Sequence, residues 1–245
     1  MSAESYRIQT GVIPRAVHIP CGSVTLAGEL SVPQEPIGLV IFARVAAGKT
    51  DPRLAAELLR LGFGTLVLDL LTPGEAADER TRGSLALNMG LLTQRLVVVA
   101  QWVAGEDEAR HLRLGFLGTG TGCGAALVAA ADLGRTIGAV ACCDGRPDLA
   151  GNALRRVKAP TLLISGPSDE PTLGGFGEEA LELIDCRKHH ALLEETRGAE
   201  RLVPGSLGPS ARPAGTPSLA AEYARVAGEW FAEHLAPSGS ARFLR

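Results

Sequence analysis

The stretch GFLGTGTGCGAAL, residues 115–127, constrains this chain more than any other. An apolar run ends in a ladder of glycines and reopens as an alanine-rich segment. That is the outline of a strand, a tight turn and a helix joined without a loop. Turns of this kind serve two chemistries: they present a nucleophile at the apex, or they hold a pyrophosphate against the helix N-terminus. No serine occurs in the stretch.

The rest of the chain continues the same alternation. Residues 15–19 and 24–32 flank a Cys-Gly-Ser turn and predict an antiparallel entry hairpin. Apolar runs at 37–42, 65–70, 112–117, 137–142, 161–164 and 191–193 predict the remaining strands. Segments 54–61, 91–103, 121–133 and 218–235 predict helices, and 73–83 a polar excursion over the sheet edge. Alternating patterns of this kind build a mostly parallel sheet covered on both faces. The Pro-, Gly- and Ser-rich stretch 204–217 reads as a loop. The expected division is a tail over 1–14, one domain over 15–236 and a second tail over 237–245.

With 245 residues, 46% of them hydrophobic and 21% charged, one large α/β domain can bury a sizeable core. A net charge of −3 offers no footprint for nucleic acid, and no apolar run reaches the ~18 residues a membrane span needs. The first residues have no signal-peptide core, so the expectation is a soluble, cytoplasmic protein, monomeric or homodimeric. Cys21, Cys123, Cys142, Cys143 and Cys186 include no CxxC pair, so they read as reduced small residues and no metal site is expected.

Four stretches give the chain a resemblance to the dienelactone hydrolase-like family of the α/β-hydrolase fold: GLVIFARVAAG, GFGTLVLDLLTPGE, LGFLGTGTGCGAALVAAA and GRPDLAGNALRRVKAPTLLISGPSDEP. They run collinearly with the family over roughly residues 15–236. The resemblance implies a three-layer fold with a mostly parallel sheet of about eight strands and an antiparallel N-terminal hairpin. It also implies a site made of a nucleophile on the elbow, an acid and a histidine.

Set against that pattern, the chain keeps one group and departs at three places. In Gly118-Thr119-Gly120-Thr121-Gly122 the nucleophile position falls on Gly120, or on Gly122 if the frame slides by two. Thr119, Thr121 and Cys123 land on flanking positions that do not inherit the nucleophile's geometry. Asp169 matches the family's acid. Arg201, in Gly198-Ala199-Glu200-Arg201, stands at the histidine position, while His189 and His190 lie before or within the preceding strand. Arg44-Val45 replaces the His-Gly of the oxyanion loop, and a valine there restricts the turn that aims an N–H at an oxyanion.

Three rival motifs compete for the same loops. Gly120-x-Gly122-x-x-Ala125, with Asp144 some twenty residues on, formally matches a dinucleotide fingerprint. Residues 43–50, Ala-Arg-Val-Ala-Ala-Gly-Lys-Thr, nearly match a phosphate-binding loop, with Asp69 as the accompanying acid. Cys143 closes a strand at the edge where ligands collect. The family accounts for the position of the two loops and Cys143 reads as a buried small residue, so no cofactor is expected, with nucleotide or dinucleotide binding through the Gly-rich loops as a lesser alternative.

The expectation is therefore a hydrolase-fold protein without Ser-His-Asp hydrolysis. It would bind a small molecule in the inherited cleft, with Arg44, Val45, Thr119, Thr121 and Cys143 as candidate ligand contacts. Arg44 and Arg201 would favour an anionic ligand such as a carboxylate. The alternative is an enzyme of this fold with residual hydrolysis or a lyase, cyclase or isomerase chemistry. In that case Arg44, Thr121, Asp169 and Arg201 would serve acid–base and electrostatic roles.

Overall fold

Alternation of apolar and tolerant positions sets the sheet. In the computed structural model, which describes residues 11–45, 52–83, 85–166, 172–193 and 219–236, eight strands hydrogen-bond in the order β1-β2-β4-β3-β5-β6-β7-β8. β1 (Arg15–Cys21) and β2 (Val24–Ser31) form the entry hairpin. Gly22, at φ 64°, occupies the first turn position, where a left-handed residue matches the twist of the two strands. β2 then pairs antiparallel with β4 (Gly64–Asp69). The pairings among β3 (Leu39–Arg44), β4, β5 (Leu114–Gly120), β6 (Ile137–Gly145), β7 (Thr161–Ser165) and β8 (Lys188–Leu192) are all parallel.

Successive side chains of these strands point to opposite faces, and two cores result. Leu39, Ile41, Phe116, Val140 and Leu163 face one side, where helices α3 (Met89–Val103) and α4 (Gly122–Leu133) pack. Val40, Phe42, Leu117, Ala141 and Ile164 face the other, against α1 (Pro52–Arg60) and α6 (Leu219–Leu235). Trp230 on α6 is buried, as an anchor should be, with the Arg187 guanidinium over its ring. The three-layer α/β-hydrolase architecture expected from the sequence is the one observed.

The structure moves the last strand from the expected 191–193 to Lys188–Leu192, which takes in His189 and His190, and it changes one element in kind. Residues expected as a polar excursion form helix α2 (Pro73–Arg82), opened by a capping box between Thr72 and Glu75 and closed by Gly83 in the left-handed region. Its anchor is electrostatic. The Glu75 carboxylate accepts two hydrogen bonds from the buried Arg95 guanidinium, both 2.7 Å long, while Arg95 also donates to the Leu70 carbonyl at 2.7 Å. Arg95 and the Thr72 donors hold the Glu75 carboxyl down at about 2, well below the usual carboxylate range. A further helix, α5 (Thr172–Glu182), precedes β8. Among the described residues, no helix is long and apolar enough to cross a membrane. The stretch 204–217 and the segment 237–245 lie outside the described residues.

Candidate functional site

The glycine ladder is shaped by what each glycine must avoid. A Cβ on Gly118 would sit 2.6 Å from the Cys123 Cα, and one on Gly122 only 2.0 Å from the Ala43 carbonyl oxygen. Both positions exclude a side chain because strand β5, helix α4 and strand β3 approach too closely. Gly120 differs. It takes φ 55°, and a Cβ placed there meets nothing within 4 Å. The left-handed residue that turns β5 into α4 is therefore Gly120, with open space where a side chain would stand. Gly122 opens the helix and packs against β3, so the frame that slides by two does not describe the turn. The carbonyl of Gly120 accepts the Arg146 N–H at 2.9 Å, which joins the turn to the end of β6.

Thr119 and Thr121 flank this apex, both half-buried. Thr121 is the N-cap residue of α4, and its side chain makes no capping hydrogen bond. Cys123 is buried, with its sulfur against Gly145, where a Cβ would lie 1.9 Å away. Burial pushes the Cys123 and Cys143 thiols well above their ordinary value, so neither has the thiolate character of a nucleophile. Cys143 lies in the core against α1 and α6, and Val45 is also buried in the core. In this conformation neither offers a ligand much side-chain surface.

Arg44 ends β3 at the sheet's carboxyl edge. Its guanidinium forms a fork with Asp69 at the end of β4, with Nε to Oδ1 and Nη2 to Oδ2 both at 3.0 Å. The Arg44 carbonyl accepts the Leu70 N–H at 2.7 Å. The arginine expected to receive an anion thus has its charge matched by a neighbouring strand, and Asp69, the acid that a phosphate-binding loop would call on, is committed to that arginine. Lys49 and Thr50 of the phosphate-loop-like motif lie outside the described residues, as do Asp169 and Arg201. Among the described residues, no group of three or more His, Cys, Asp or Glu side chains could hold a metal ion.

Two arrangements at the same edge escaped the sequence reading. Asp144 has φ 43° and is, among the described residues, the one non-glycine in the left-handed region. Its carboxylate accepts the Gly166 N–H at 2.7 Å and the Tyr223 hydroxyl. It therefore ties the end of β7 to α6, which commits the acid that a dinucleotide ribose would need. Burial and the adjacent carboxylate raise the Tyr223 phenol above its ordinary value. The second arrangement pairs Ser165 on β7 with His190 on β8, Oγ to Nε2 at 3.0 Å. Their positions, 25 residues apart, give no local signal; only the strand register brings them together.

These features define a protein of the α/β-hydrolase fold, its strand–turn–helix elbow at the centre of the sheet. No family model matches the chain. It is 35% identical to a solved dienelactone hydrolase from Anabaena variabilis, over 91% of this chain and 99% of that one, with a TM-score of 0.78. A promiscuous dienelactone hydrolase-like phosphotriesterase from metagenomic libraries shares the fold at 18% identity and a TM-score of 0.66, over 92% of this chain and 99% of that chain. A Mycobacterium tuberculosis protein described as a "Putative phosphoribosyl transferase" is 37% identical over 232 residues, 91% of this chain and 47% of that protein. The chain thus spans about half the length of the curated relatives it matches. The chain belongs to the dienelactone hydrolase family of α/β-hydrolase-fold proteins.

Proposed function

We propose that this member of the family has given up acyl-enzyme chemistry at its elbow and uses the inherited cleft to bind a small molecule. The observation that carries the reading is Gly120: the apex has the left-handed backbone of a nucleophile position, space for a side chain, and none to attack with. Arg44-Val45 in place of the oxyanion loop and Arg201 at the histidine position support it from the sequence. Losing the nucleophile alone removes most of the rate, because triad members act as a unit. Since Asp69 matches the charge of Arg44, preference for an anionic ligand would rest on Arg201. The test is the double variant G120S/R201H, assayed for aryl-ester turnover. A gain over wild type is expected if only triad groups are missing. Efficient elbow-dependent turnover by the wild type would overturn the reading.

A second reading follows from coverage. The chain matches a dienelactone hydrolase along 99% of that enzyme but only 47% of the mycobacterial relatives. We infer that it corresponds to the hydrolase-fold part of such proteins, and that the phosphoribosyl transfer in their description belongs to the part left unmatched. This chain is then expected to release no pyrophosphate from phosphoribosyl pyrophosphate, and turnover would contradict the assignment.

A further inference from the structure

Ser165 and His190 form a nucleophile–base arrangement outside the elbow. Ser165 is the last residue of β7, at the carboxyl edge where sites of open α/β sheets gather. β7 is two strands from β5, about 10 Å across the sheet. The Ser165 hydroxyl lies 3.0 Å from the His190 Nε2, within the distance at which a base can take its proton. Both side chains are half-buried, enclosed enough to hold a geometry yet reachable from solvent.

Described neighbours fix the backbone around the serine and bring α5 up to the imidazole. The Ser165 carbonyl accepts the Leu193 N–H at 2.8 Å, and the next N–H, of Gly166, is held by Asp144 at 2.7 Å. The end of β7 is thereby pinned on both sides of the hydroxyl. Leu163 pairs with His190 in the parallel register, so His190 lies on the same sheet face as Ser165, whereas His189 pairs with Leu162 and lies on the other. Across from the imidazole, α5 presents Gly177, where even a Cβ would keep 3.6 Å from the His190 Cε1. A proton held on Nδ1 leaves Nε2 as the acceptor the serine needs.

We propose that Ser165 and His190 are a nucleophile–base pair that accepts acyl groups from small activated esters, independently of the elbow. The Ser165 Oγ would form the bond to the ester carbonyl carbon as its proton passes to the His190 Nε2. The carbon–oxygen bond to the leaving group then breaks, and the departing alcohol takes the electron pair and that proton. Water adds to the acyl-serine and gives a proton to His190. The carboxylic acid departs and Ser165 recovers its hydrogen.

The experiment is fluorophosphonate labelling of the intact chain, with peptide mapping and labelling rates for wild type, S165A and H190Q. The adduct is expected on Ser165, absent from S165A, and formed at least about 100-fold more slowly in H190Q. Melting temperatures of both variants confirm that they are folded. If S165A does not fold, the wild-type map and the H190Q rate decide. An unlabelled wild type, or H190Q labelled at the wild-type rate, would overturn the pair and leave the elbow reading standing. An adduct on Thr119 or Thr121 would overturn the elbow reading as well.

Discussion

Replacing Gly122 with alanine should damage this protein more than the same change at Gly120, two residues away. A Cβ at 122 would lie 2.0 Å from the Ala43 carbonyl oxygen and 3.0 Å from its carbon. Those atoms belong to β3, paired on both sides by β4 and β5, so they cannot step aside. Overpacking of this kind costs about 1–3 kcal/mol, and a backbone obstacle puts it at the upper end. The roughly 0.5–1 kcal/mol that alanine gains over glycine within a helix offsets part of that. The net loss is about 2 kcal/mol, a fall in Tm of about 4–8 °C for a chain of this size. At Gly120 no atom obstructs, and the cost is the left-handed backbone, about 1–2 kcal/mol. A smaller unfolded-state entropy returns about 0.4–1 kcal/mol. Thermal and denaturant unfolding of G122A and G120A, with the denaturant slope compared to wild type, measures both. Equal destabilisation, or a greater loss in G120A, would refute the assignment of Gly120 to the open apex.

Acid sensitivity should be carried largely by Glu75. A carboxyl held down at about 2 in the folded state stabilises it by about 3 kcal/mol above the unfolded value of 4.5. That contribution is lost as pH falls through about 2. E75Q should therefore be less stable at neutral pH and show a flatter decline between pH 4.5 and 2 in urea titrations; a wild-type pH profile in E75Q would contradict this. Alkylation of the native protein by iodoacetamide should reach Cys21 and Cys186, which are only partly buried, and spare Cys123, Cys142 and Cys143 until the chain unfolds. Mass mapping reads the difference directly.

The sheet was legible in the sequence because its strands are short apolar runs separated by turn residues, and a parallel sheet buried on both faces needs such runs. The elbow was legible for a related reason: Gly118 and Gly122 record close approaches that no other residue allows. Helix α2 carried a readable signal too, since Thr72 and Glu75 have capping-box spacing, but its charged surface obscured it. The electrostatics of the site were not legible. Arg44 reads as an available cation until β3 and β4 are known to be neighbours, with Asp69 at the matching register. Asp144 and Tyr223 lie 79 residues apart, and no local pattern links a strand end to a helix that distant. Ser165 and His190 likewise meet only through the pairing of β7 with β8.

The central claim, an elbow without a nucleophile, is tested most directly by mapping fluorophosphonate adducts over residues 114–133 of the wild-type chain. This peptide should be recovered unmodified, at full probe exposure, whatever happens elsewhere in the molecule. An adduct on Thr119, Thr121 or Cys123 would mean that the turn still carries a working nucleophile and would refute the loss of acyl-enzyme chemistry at the elbow.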